Sequence, residues 1–211
     1  MNPHYALKDL SQRGLYSPAT EHDSCGVGMV ANIKGVKSHQ IIDESLEVLV
    51  NLGHRGACGC DPETGDGAGI LIQMPHQFFQ RVCPLLSMEL PQPGEYGAGV
   101  VFLPPQPEAR IKCEQLIKKV IQDEGLALLG WRDVPVDADK LGRDSRNVMP
   151  SIKQVFVGQG SSVQDQSQLE RRLYVARKVI ENSLAKCDLS EDEADYFYIC
   201  SLSSNTMVYK G

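Results

Sequence analysis

The residues SCGVGMVAN (24–32) mark the sharpest change of character in the chain. Upstream, residues 1–24 are polar and rich in turn formers, with no strand or helix period beyond a few residues. Such a segment reads as a frayed terminus. From Cys25 onward small and apolar residues alternate, and the spacing predicts a strand over CGVGMVAN. Downstream, Ile41, Ile42, Leu46, Leu49 and Val50 recur at helical spacing, which predicts a helix over 41–52 with Gly53 as its C-terminal cap.

The segment HRGACGCDPETGDGAG (54–69) has no period and is glycine-rich. Loops of this length inside compact domains are functional or disordered. GILIQMP then reads as a strand, HQFFQRVCPLLSM as a short helix broken near Pro84, and GAGVVFLP (97–104) as a strand. A helix is predicted over 107–124, with Pro107 at its start and Gly125 after its end.

Further on, 126–136 and 152–157 read as strands, 140–150 as a polar loop, 158–168 as a linker and 169–186 as a helix. Residues 195–203 and 206–209 read as a hairpin turning near Ser204 and Asn205. Strands and helices mix without strict βαβ alternation, which predicts an α+β fold.

Composition bounds the function. Twenty-seven acidic against twenty-one basic residues give a net charge of −6, which argues against a general nucleic-acid surface. No apolar run approaches the roughly 18 residues that span a bilayer, so no membrane partner is expected. The N-terminus lacks the apolar core of a secretory signal. A cytoplasmic location with reduced thiols is therefore expected for the seven cysteines.

Four features carry possible chemistry. Gly65-Asp66-Gly67-Ala68-Gly69 is GxGxG and precedes a strand, whereas a dinucleotide loop follows one and opens a helix. A tight turn packed against other backbone is the better reading. Cys58 and Cys60, with His54 nearby, lack the second ligand pair that zinc sites use, although a thiol or metal redox module remains an alternative. Arg55 is either a solvated, ion-paired residue or a guanidinium fork for a substrate carboxylate. Cys25 is either a core residue or a nucleophile. Cleavage between Ser24 and Cys25 would give Cys25 a free α-amino group, whose ordinary pKa of about 7.7–8.0 suits a base for its own thiol.

EHDSCGVGMVANIKG (21–35), NLGHRGACGCDPETGDGAGILIQMPHQFF (51–79), YGAGVVFLP (96–104), GWRDVPVD (130–137) and YFYICSLSSNTMVYKG (196–211) closely resemble the start of glutamate synthase large subunits. That region is the class II glutamine amidotransferase domain, an N-terminal-nucleophile hydrolase with an αββα sandwich. The resemblance implies that residues 1–24 are a propeptide removed before Cys25, and that 25–211 are the N-terminal portion of the domain. It implies Cys25 as the nucleophile and Arg55 as the residue that binds the α-carboxylate of L-glutamine.

It also implies FMN and an iron–sulfur cluster in the full-length enzyme, with neither in this segment. Its partners are then the downstream synthase domains and a small electron-donating subunit or ferredoxin. The HNGE motif of the family's oxyanion hole and its HQRYSTNT-like stretch do not occur here, and Asn205 stands where the family often has a basic residue. The fold is therefore expected to be incomplete at the C-terminal side, with little glutaminase activity from these residues alone. The alternative is a catalytically inactive module that serves structure or partner binding.

Overall fold

The computed structural model describes residues 26–55, 65 and 67–211, with only the backbone of Arg55. Strands β2 (Tyr96–Leu103), β3 (Ala127–Asp133), β4 (Ser151–Gly158) and β5 (Tyr198–Ile199) form a four-stranded sheet in the order β3-β4-β2-β5. A second sheet pairs β1 (Gly69–Gln73) with β6 (Thr206–Lys210). Among the described strands each ladder is antiparallel, which fits the expected α+β class.

The larger sheet is buried on both faces, and the period of two sorts its side chains. On β2 and β4, Val101, Leu103, Val155 and Val157 enter one core. Tyr96, Ala98, Val100 and Phe156 alternate with them and enter the other. The first core is closed by helices α3 (Pro107–Asp123) and α5 (Gln166–Ser183), through Cys113, Ile117, Ile121, Leu169, Leu173 and Ile180. Each of these side chains is worth about 1.5–3 kcal/mol of burial where it is a full-sized apolar group.

The second core joins the two sheets and includes Met207 of β6 and Phe79 of helix α2 (His76–Val82). Phe79 meets Phe156 edge to face at 4.9 Å. Helix α1 (Gln40–Asn51) contacts β1 and buries none of its residues fully.

Local chemistry sets the ends. Gly125 takes φ +71° after α3, and its N–H reaches Gln122 O at 2.9 Å, which fits the predicted glycine stop. Asp165 caps α5 by accepting from Gln168 N at 2.8 Å. The helix broken near Pro84 is found as α2 followed by a 3₁₀ turn at Pro84–Leu86.

Other expectations are corrected. Residues 26–30 form no strand, because none among the described residues lies beside them to complete a hydrogen-bond ladder; Val27 and Met29 are 90% and 89% exposed. Gly53 is not a left-handed cap; Leu52 ends α1 in helical geometry and Gly53 opens a 3₁₀ turn. The 140–150 loop contains helix α4 (Arg143–Asn147). Asp195 belongs to helix α6 (Glu191–Asp195), which starts on a Ser190–Glu193 capping box.

The expected hairpin is also absent: β5 pairs with β2 while β6 pairs with β1, so residues 200–205 cross between sheets. The two serines at the expected turn are held by a carboxylate on α5 instead of closing a hairpin. Among the described residues no helix is long and apolar enough to cross a membrane.

Candidate active site

Ser24 and Cys25 lie outside the described residues, but the residue that follows Cys25 does not. A Cβ on Gly26 would sit 2.9 Å from Cδ2 of Leu52, and one on Gly28 would collide with the Val48 side chain. The segment leaving Cys25 therefore lies on the C-terminal half of α1, and glycine at both positions allows that approach without displacing Leu52 or Val48. Immediately after Leu52, the three-residue 3₁₀ turn Gly53–Arg55 closes α1. The His54 ring Nδ1 is 2.9 Å from Asn51 O within this turn. The structure thus brings the chain next to Cys25 and the turn ending in Arg55 to the same end of one helix.

Cys58, Cys60 and Asp66 lie outside the described residues, whereas the rest of the GDGAG stretch is well defined by its contacts. Ala68 and Gly211 exchange two backbone hydrogen bonds, each 2.9 Å. A Cβ on Gly69 would lie 2.7 Å from Tyr209 O and 2.9 Å from Lys210 Cβ, and one on Gly67 would lie 3.0 Å from Gly211 O. These glycines allow close backbone packing and lead into a strand, in agreement with the sequence reading.

The crossover between sheets carries a polar cluster that sequence reasoning missed. Ser203 Oγ donates to Glu170 Oε1 at 2.6 Å. Ser204 donates to Glu170 Oε2 twice, from its backbone N and its Oγ, both at 2.7 Å. Gln166 Nε2 donates to Asn205 Oδ1 at 2.9 Å. Asn205 O accepts from Met74 N at 2.8 Å. Glu170 is more than thirty residues from its partners, and no short-range spacing signals such a contact.

A second polar link crosses the core between sheets. Gln154 is fully buried; its Nε2 donates to Tyr209 Oη at 2.7 Å and its Oε1 accepts from Arg132 Nη1 at 2.8 Å. Burial raises the Tyr209 hydroxyl above its usual range, against the opposing effect of the Gln154 donor. Nearby, His76 Nδ1 and Tyr96 Oη are 3.0 Å apart, and burial followed by the Lys37 charge lowers the imidazole pKa.

Three of the four described cysteines are buried in ways that do not suit an iron–sulfur cluster. Cys83 and Cys200 sit in the inter-sheet core and Cys113 in the helix-facing core. Burial raises all three thiols, Cys113 to about 11, which disfavours the thiolates that clusters require. Among the described residues no group of three or more His, Cys, Asp or Glu side chains is placed to hold a metal ion.

Comparison with known proteins fits this arrangement. The family profile of class-II glutamine amidotransferases matches residues 25–211. The chain is 44% identical over 94% of its length to the glutamate synthase [NADPH] large chain of Bacillus subtilis. It is 38% identical over 90% of its length to ferredoxin-dependent glutamate synthase 2 of Synechocystis. It is 39% identical over its whole length to glutamate synthase [NADH] of Schizosaccharomyces pombe. It spans only 13%, 12% and 10% of those three relatives. With the profile covering nearly all of the chain, the protein belongs to the class-II glutamine amidotransferases.

Proposed function

We propose that this domain releases ammonia from L-glutamine, and that a glutamate synthase of the relatives' kind uses that ammonia to make glutamate from 2-oxoglutarate. The observation that carries the reading is the family match, which begins at Cys25. The packing of Gly26 against Leu52, close to the Gly53–Arg55 turn, supports it from geometry. The order of α3 and α5, four-stranded sheet, β1–β6 pair and α1 supports an αββα sandwich.

In this reading residues 1–24 are a propeptide, cleaved between Ser24 and Cys25. The new α-amino group takes the Cys25 thiol proton, and the thiolate attacks the side-chain amide carbon of glutamine. The tetrahedral intermediate collapses as the same amine gives the proton to the leaving nitrogen, releasing ammonia. Water then hydrolyses the γ-glutamyl thioester to glutamate and restores the thiol. Arg55 holds the substrate α-carboxylate through paired N–H donors.

FMN and an iron–sulfur cluster belong, in this reading, to synthase regions other than residues 25–211, and supply the reduction that follows ammonia release. The electron donor is ferredoxin or a small nicotinamide-linked subunit, and the setting is the cytoplasm.

Mass spectrometry of the N-terminus and a Cys25→Ala variant test the proposal in a glutamate synthase carrying this domain. The mature chain is expected to begin at Cys25. The variant is expected to lose glutamine-dependent synthesis and keep ammonia-dependent synthesis. Active enzyme that retains Met1, or a Cys25→Ala variant that still uses glutamine, overturns the assignment.

A further inference from the structure

We infer that Glu170 is a positioning residue, which sets Gly67, Ala68 and Gly69 through the sheet-to-sheet crossover; the link to the active site rests on the Arg55 reading above. The Glu170 carboxylate sits on α5, a helix anchored in the first core by Leu169 and Leu173, both fully buried. It receives three hydrogen bonds of 2.6–2.7 Å from Ser203 and Ser204. Both serines are nearly fully buried, so losing the carboxylate as a partner costs more than losing an exposed one.

The clasp is reinforced from the other side. Ser203 exchanges backbone bonds with Ala98 of β2, at 3.0 and 3.2 Å. Its Oγ also accepts from Asn205 N at 3.0 Å and Thr206 N at 3.2 Å, where β6 begins. The start of β6 is thereby fixed relative to α5 and β2.

What β6 does next gives the clasp its reach. Its ladder partner among the described residues is β1, in the register Gln73↔Thr206 to Gly69↔Lys210. Beyond the ladder, Ala68 and Gly211 hold each other through two bonds. A displacement of Thr206 along the strand is therefore passed to Gly67, Ala68 and Gly69, the exit of the loop that starts after Arg55. Gly69 packs closely against that partner strand: an added Cβ there would lie 2.7 Å from Tyr209 O.

The test compares Glu170→Gln with the unaltered domain in a glutamate synthase that carries it. Glutamine keeps the size and one acceptor oxygen but turns the other into a donor facing the Ser204 N–H. Hydrogen exchange at the Ala68 and Gly211 amides is the direct readout. Protection at both is expected to fall about tenfold or more, the effect of losing hydrogen bonds to a charged acceptor. Protection at Ile117 and Ile180 in the first core is expected to stay. Unchanged protection at Ala68 and Gly211 overturns the inference, and so does a uniform fall across both cores.

The second readout is the rate at which Cys25 is alkylated by 6-diazo-5-oxo-L-norleucine, a glutamine mimic, relative to iodoacetamide. Glu170→Gln is expected to lower that ratio, and Glu170→Asp to restore part of it. If exchange responds while the ratio does not, the connection to the site is overturned. An Arg55→Ala variant with an unchanged ratio overturns the reading of Arg55, while amide exchange still judges the clasp.

Discussion

Replacing Gln154 with Met tests whether a single polar side chain fastens the two sheets. Gln154 is 0% exposed, and its amide joins Arg132 on β3 to Tyr209 on β6. Methionine matches its length and keeps the core filled, so the change removes hydrogen bonds with little loss of volume. The bond from the Arg132 guanidinium is worth about 1.5–3 kcal/mol and the neutral bond to Tyr209 about 0.5–1.5 kcal/mol. Arg132 is only half-buried and regains water, which favours the lower end.

The expected loss is about 2–3 kcal/mol, a large part of the stability of an ordinary domain, with a fall in Tm of about 4–12 °C. Urea unfolding reports it through Trp131, the one tryptophan, which packs partly buried against the first core on the strand that carries Arg132. Tyr209→Phe completes a double-mutant cycle. The pair is expected to couple by about 0.5–1.5 kcal/mol. A loss below about 0.5 kcal/mol, or strict additivity with Tyr209→Phe, would refute the fastening role.

Gly69→Ala drives a methyl into Tyr209 O and Lys210 Cβ, and is expected to cost about 1–3 kcal/mol by overpacking, read as a lower urea midpoint. An unchanged midpoint would show that the close packing has slack. Alkali is expected to destabilise the fold. Burial raises the Cys113 thiol to about 11 from 9.0, so the folded state holds this proton more tightly than the unfolded chain. The stabilisation is full below pH 9 and is lost as pH rises to about 11, by roughly 2–3 kcal/mol, with Cys83, Cys200 and Tyr96 acting in the same direction. Urea midpoints that stay flat across this window would count against it. Arg55→Ala in a glutamate synthase is expected to raise the KM for glutamine more than it lowers kcat, since a carboxylate clamp acts in ground and transition states alike. A purely kcat effect would reassign Arg55.

Helices α3 and α5 were legible because each repeats one apolar stripe; Gly125 marked the end of α3, whereas the Asp165 cap that starts α5 at Gln166 falls in the stretch that reads as a linker. The strands β2 and β4 were legible as apolar runs buried on both faces. Where partners are distant, the pattern misled. Residues 195–203 and 206–209 look like a hairpin because two apolar runs flank Ser204 and Asn205. Which sheet each run joins depends on Glu170, Gly97 and Gly99, and a Cβ on either glycine would strike the crossover backbone or the α5 side chains. Likewise CGVGMVAN alternates like a strand, yet a strand needs a neighbour that periodicity cannot supply. Of the proposed site, Cys25 and Arg55 stood out in the sequence by chemistry and motif. The Glu170 clasp did not, since its carboxylate and serines meet only in the folded chain.

The pairing of β1 with β6 also dictates an order of events during synthesis. Gly69 leaves the ribosome long before Lys210, its partner in the ladder. Through that interval the helix-covered sheet can assemble from β2, α3, β3, β4 and α5, which follow one another closely in the chain. The hydrogen-bonding edge of β1 stays open until residues 206–210 emerge, and such long-range closure is slow and leaves an edge available for wrong partners. The β1–β6 ladder thus closes after the larger sheet has had time to form, and Gly69 acquires its register only then.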